Sequence, residues 1–120
     1  FRLFESSLMI QIQDLDVVLY ADGSVFCSPL DQNPIHRNLV RNPDLIFEVG
    51  SSRFFTFRMI PSLKTYVLIE QNEPSVHVAY TNENGSWNFD HYFSLEAIVD
   101  LKPLGVSITM AEIYRWIEFN

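Results

Sequence analysis

Two acidic residues stand in or against short apolar runs, where a carboxylate is unfavourable unless it has a partner or a task. Asp16 opens Asp16-Val17-Val18-Leu19-Tyr20, and Glu48 lies inside Leu45-Ile46-Phe47-Glu48-Val49. Metal-assisted hydrolysis of a phosphodiester needs hard oxygen ligands converging on one point, commonly two carboxylates and a backbone carbonyl, with a cation close by. Asp16 and Glu48 supply the carboxylates if their strands are neighbours, and the Val49 carbonyl is then a natural third ligand. Spacing alone does not separate this set from two unrelated strand acids, which most domains contain.

Other reactive side chains read as structural. The single cysteine, Cys27, excludes an internal disulfide and, with no histidine and acid partner nearby, reads as a packing residue. His36, His77 and His91 lack ligand-like spacing, and outward strand positions account for His77 and His91. Phe54, Phe55 and Phe57 could stack on bases, but aromatic residues in a short helix more often pack a core. Glu70 and Gln71 either complete a site from a neighbouring strand or begin the turn through Pro74, and the two readings stand level.

The chain that must position these residues has 120 of them, 48% apolar, 14% aromatic and 19% charged, which predicts one folded domain over 1–120 rather than a disordered segment. No apolar run approaches the roughly 18 residues that span a bilayer, and the first residues lack the apolar stretch of a secretory signal, so the expectation is a cytoplasmic protein without a membrane partner. A net charge of −7 argues against a domain that coats nucleic acid non-specifically. Four of the eight basic residues, Arg37, Arg41, Arg53 and Arg58, nevertheless cluster around Glu48.

Strands are predicted at 8–13, 16–20, 45–49, 66–69, 76–80, 87–93 and 106–108, from alternation or from short apolar runs. The Glu48 strand should carry Leu45, Phe47 and Val49 on one face and Ile46 and Glu48 on the other. Turn formers from Ala21 to Asn42 predict a long irregular connection. Ser52 should cap a short helix over 53–60 that Pro61 stops, and Asn82-Glu83-Asn84-Gly85 should close an antiparallel hairpin. Thr109 to Glu112 has the capping-box pattern in front of a terminal helix with Ile113, Trp116 and Ile117 turned inward.

Several blocks, in order, resemble the Uma-type family of restriction endonucleases, a branch of the PD-(D/E)xK nuclease superfamily. Asp16-Val17-Val18 looks like the family's Pro-Asp-Val-Val-Val block, and Asn42 to Val49 looks like the segment leading into its catalytic glutamate. The stronger match is Ile60 to Gln71, then Pro74 to Val78, Trp87, and Leu104-Gly105-Val106 through Ile113-Tyr114. The resemblance implies an α/β (α+β) fold with a restriction-endonuclease-like mixed sheet flanked by helices. It also implies a Mg2+ or Mn2+ cofactor held by Asp16, Glu48 and Val49, DNA as partner, and a homodimer. Asp44 in the literal Pro43-Asp44 pair is set aside, because it lies four residues before Glu48 in the same strand.

Departures from the family pattern fall around the same site. Leu15 stands in place of proline, and Gly50 stands where the superfamily has lysine. The family takes its lysine from the following helix, and that position here is Arg53, which can stabilise phosphate charge but does not readily give up a proton. Roughly ten residues that the family carries after the glutamate strand are also missing, as is a piece before Asp16. The sequence therefore points to a metal-dependent DNA endonuclease with Asp16, Glu48 and Arg53 as its catalytic residues. The competing reading is an inactive nuclease-like scaffold that binds or dimerises, and an unrelated β-rich ligand-binding domain is a weaker third.

Overall fold

The computed structural model describes residues 2–4 and 8–115. Its strands are β1 (Arg2–Phe4), β2 (Met9–Ile12), β3 (Val17–Tyr20), β4 (Gly23–Phe26), β5 (Leu39–Val40), β6 (Leu45–Val49), β7 (Thr65–Ile69), β8 (Val76–Thr81), β9 (Trp87–Tyr92), β10 (Ile98–Leu101) and β11 (Val106–Thr109). Two short helices, α1 (Phe54–Phe57) and α2 (Met110–Tyr114), complete the described elements. A six-stranded sheet runs β1-β4-β6-β7-β8-β9. Only β6 and β7 are parallel, and the other neighbours are antiparallel, so the sheet is mixed as expected. A three-stranded sheet β3-β2-β5 and the hairpin β10-β11 stand apart from it.

Strand alternation divides the core between the two faces of the large sheet. On one face, Ile46 and Tyr66 pack with Ile10, Ile12 and Val40 of the small sheet and with Phe57, Ile60 and Leu63 around α1. On the other, Leu45, Val67 and Val78 pack with Val99, Met110 and Tyr114 under the β10-β11 hairpin and α2. Glu48 shares the face of Ile46, as the sequence predicts, and thus lies beneath the small sheet rather than in solvent.

The predicted hairpin turn joins β8 to β9 and is tightened by Asn82, whose side-chain oxygen accepts from the Ser86 N–H at 3.2 Å. The capping residues engage as expected at the N-cap: Thr109 Oγ1 accepts from the Glu112 N–H at 3.1 Å, and the Glu112 carboxylate takes the Thr109 hydroxyl at 3.1 Å. Met110 and Tyr114 are the buried residues of α2, with Ile113 half-buried against them; Trp116 and Ile117 lie outside the described residues. The helix predicted over 53–60 is regular only from Phe54 to Phe57; Arg53 holds the cap position, and Ser52 Oγ accepts the Phe54 N–H at 3.3 Å.

The stretch from Ala21 to Asn42 departs most from expectation. It holds β4, all four residues of which are buried, and the short β5. Asp22-Gly23 reads as a turn from sequence, but Gly23 lies opposite Phe47. A Cβ on Gly23 would stand 1.9 Å from the Phe47 ring, so the glycine makes room for that ring. Among the described residues no helix is long and apolar enough to cross a membrane.

Candidate active site

Glu48 is 2% exposed and its carboxylate is fully engaged. Oε1 accepts from the Tyr66 hydroxyl at 2.5 Å and the Arg53 N–H at 3.2 Å. Oε2 accepts from Arg53 Nε at 2.9 Å and from Arg53 Nη2. A buried carboxylate is tolerated when donors of this kind replace water. Tyr66 lies on β7 beside β6, so the parallel pairing delivers its hydroxyl to Glu48.

Arg53 can fold back over five residues because Gly50 turns the chain at φ +93°, a conformation that a side chain would strain. The Gly50 N–H donates to the Ile69 carbonyl at 2.9 Å, which fixes that turn against β7. The glycine at position 50 is therefore a backbone requirement. Arg53 Nη2 also donates to the Tyr20 carbonyl at 2.5 Å, tying the end of β3 to the site. Its guanidinium carbon stands 5.2 Å from the Phe57 ring centre.

The Glu48 hydrogen bonds hold the Arg53 pKa above its ordinary value, with smaller contributions from the charges of Glu48 and Asp22. Arg53 stays a cation and cannot serve as a base. Burial, and then the bond to Glu48, push the Tyr66 phenol up to about 12, so it remains a donor at neutral pH.

Asp16 is not part of this cluster. It is exposed and closes the β2-β3 hairpin in the left-handed conformation, φ 50°, with its N–H on the Gln13 carbonyl at 3.2 Å. Asp is one of the few side chains that accept that conformation readily, which accounts for its place. The condition that the Asp16 and Glu48 strands be neighbours is not met: β3 pairs with β2 in the small sheet, and β6 belongs to the large one. Tyr20, whose carbonyl reaches Arg53, is four residues further along, about 13 Å of strand from Asp16.

The acid that does reach Glu48 is Asp22. The antiparallel β4-β6 register pairs Gly23 with Phe47 and so runs on to set Asp22 abreast of Glu48. Asp22 is exposed; its Oδ2 accepts the Val49 N–H at 2.7 Å, and among the described residues its other oxygen has no hydrogen-bond partner. Sequence reasoning missed it because Asp22-Gly23 is a strong turn signal. The available counter-signal was the apolar Val25-Phe26 pair that follows.

Other candidates have local roles. Asp44 Oδ2 accepts from the Cys27 N–H at 2.7 Å, and its carbonyl accepts from the Lys64 and Thr65 N–H groups, clamping β4, β6 and β7. Cys27 is exposed rather than a packing residue, and partial desolvation with the nearby Asp44 charge raises its thiol pKa, opposite to what a nucleophile needs. Phe57 is core and Phe54 joins Tyr66, Trp87 and Phe89 in an aromatic cluster, whereas Phe55 is 74% exposed beneath Arg58. Glu70 closes the turn to Ser75 rather than approaching Glu48, and Gln71 packs beside Gly50.

By donor type the site fits a hard divalent ion, because Asp22 offers an uncommitted carboxylate oxygen beside Glu48 and the Val49 backbone. Among the described residues no three ligating side chains already converge. For Glu48 to serve as a ligand, Arg53 must withdraw its guanidinium, and its side chain is 39% exposed on the open side of the pair.

No family model matches the chain, and no curated protein does. Among solved structures it is similar to one described as a "putative nuclease belonging to DUF820" from Anabaena variabilis ATCC 29413. The match has a TM-score of 0.69 and 17% identity, and covers 96% of this chain and 68% of that one. At that identity the likeness establishes a nuclease-like mixed α+β fold.

Proposed function

We propose that this chain is a metal-dependent DNA endonuclease of the Uma type, with its centre at Asp22 and Glu48. The observation that carries the reading is the buried Glu48 set abreast of Asp22 where β4 and β6 pair, within a nuclease-like fold. Glu48, Asp22 and the Val49 carbonyl would hold Mg2+ or Mn2+. When bound, such an ion supplies Lewis acidity toward a phosphate oxygen and lowers the pKa of water. Tyr66 holds one oxygen of Glu48 in place. Arg53 neutralises Glu48 at rest, and its planar fork suits a phosphate group once released. A homodimer would allow both strands to be cut.

Plasmid nicking in Mg2+ tests the reading. The parent and an Asp16→Asn variant should nick at similar rates, while Asp22→Asn and Glu48→Gln should lose about a hundredfold, or about 2.7 kcal/mol of transition-state stabilisation. Nicking that survives Glu48→Gln unchanged would exclude this centre.

A second reading, a nuclease-like scaffold without catalysis that binds or dimerises, is favoured by one specific observation. Arg53 and Tyr66 between them occupy both oxygens of Glu48. On that reading neither metal binding nor nicking is measurable, and exposed Phe55, Phe89 and Phe93 are the surface to examine for self-association.

A further inference from the structure

Two strands from Glu48, in the cross-strand row that runs Glu48-Leu68-His77-His91, β8 and β9 set His77 directly across from His91. Their imidazoles stack with ring centres 4.1 Å apart and planes inclined by 5°. Nε2 of His77 lies 3.7 Å from Glu70 Oε1, and Nε2 of His91 lies 2.6 Å from Ser75 Oγ. Glu70 and Ser75 are the two ends of one turn, joined by the Glu70 N–H on the Ser75 carbonyl at 2.9 Å. Tyr114 pins that turn from the core, its hydroxyl 2.7 Å from the Glu70 carbonyl and 2.9 Å from the Ser75 carbonyl. Both ring nitrogens therefore face the same fixed turn.

We propose that His77, His91 and Glu70 form a site for a borderline transition-metal ion of the Zn2+, Ni2+ or Cu2+ class. Imidazole nitrogen suits these ions, and a carboxylate is a common companion ligand. Two ligands with bonds of about 2.1 Å to one ion stand at most about 4.2 Å apart. The 3.7 Å separation of His77 Nε2 from Glu70 Oε1 falls within that limit, and the 4.1 Å stack keeps the His91 ring beside that of His77. Among the described residues no three such groups converge as they stand, so binding requires the rings to open from their stack toward the turn. The side chains of His77 and Glu70 are 47% and 34% exposed, which leaves them free to do so. Ser75 orients the His91 ring with Nε2 toward the turn in the metal-free protein. An ion here would clip the edge strand β9 to the β7-β8 turn, and its nitrogen donors would set it apart from the all-oxygen site at Asp22 and Glu48.

The test is calorimetric titration of ZnCl2, NiCl2 and MgCl2 into metal-stripped protein in a Cys27→Ser background, so that the exposed thiol cannot contribute. Zn2+ and Ni2+ should bind once per chain. His77→Ala and His91→Ala should each weaken binding at least about tenfold, while exposed His36→Ala leaves it unchanged. Mg2+ heats should be the same with and without the two histidines. Zn2+ should also raise the melting temperature of the parent and not of His91→Ala, with circular dichroism confirming that the variant is folded. A second variant, His91→Gln, serves if alanine unfolds the edge. No Zn2+ or Ni2+ binding by the parent, or equal binding by parent and the His91 variants, overturns the proposal.

Discussion

Glu48 and Arg53 show how a charge inside an apolar strand is held. Breaking a fully buried ion pair by deleting one partner is destabilising by about 3–5 kcal/mol. Solvent screens the half-exposed guanidinium, so Arg53→Ala should lower stability by about 2 kcal/mol in urea unfolding. The same substitution should tighten Mg2+ binding, because the competing cation is gone; a variant that is both less stable and weaker for Mg2+ would contradict the proposed exchange.

Tyr66 gives a pH signature of the same cluster. Its pKa is about 12 in the folded protein, against an ordinary value of 10.0. Below pH 10 its contribution is intact in full. Between pH 10 and 12 the unfolded chain gives up the phenolic proton first, and the contribution is lost. The stability difference between the parent and Tyr66→Phe, about 1–2 kcal/mol at neutral pH, should therefore shrink across that interval. At this scale Glu48 and Arg53 were legible from residue type and position. Asp22 was not, because adjacency to glycine is a local turn signal whereas its role depends on pairing with a strand that begins more than twenty residues later.

Among the elements, β4 decides whether the site exists, since it delivers Asp22 to Glu48. Gly23→Ala would drive a methyl group into the Phe47 ring. Overpacking of this kind is destabilising by about 1–3 kcal/mol, measurable as a lowered urea midpoint, and it should impair nicking by displacing Asp22. The strand was illegible for a physical reason. All four of its residues are buried, including Ser24, so it lacks the polar alternation that marks a half-exposed strand. By contrast β6 and the β8-β9 hairpin were readable, because apolar runs and turn residues there agree with their pairing. The α2 N-cap was readable for the same reason, each signal being local.

On the scale of the whole molecule, one mixed sheet is covered on both faces, and the candidate site lies on the face beneath the small sheet. The fold class was legible because the sequence blocks keep their order, whereas the separation of β3 from β6 into different sheets was not, since apolar runs do not reveal which strands pair. A chain of net charge −7, with four arginines in the stretch of sequence around Glu48 and two of them already paired with Asp31 and Glu48, should bind DNA through few phosphates. The slope of log affinity against log salt should then be no steeper than about −4, and a much steeper slope would require a basic surface that the sequence lacks.

We propose Glu48, abreast of Asp22, as a metal ligand with Arg53 as its exchangeable counter-ion. The most direct test is a Mg2+ titration by calorimetry on the parent and on Glu48→Ala. Mg2+ should bind the parent, and that binding should disappear in the variant. No binding in either protein, or binding of equal strength in both, would contradict the proposal.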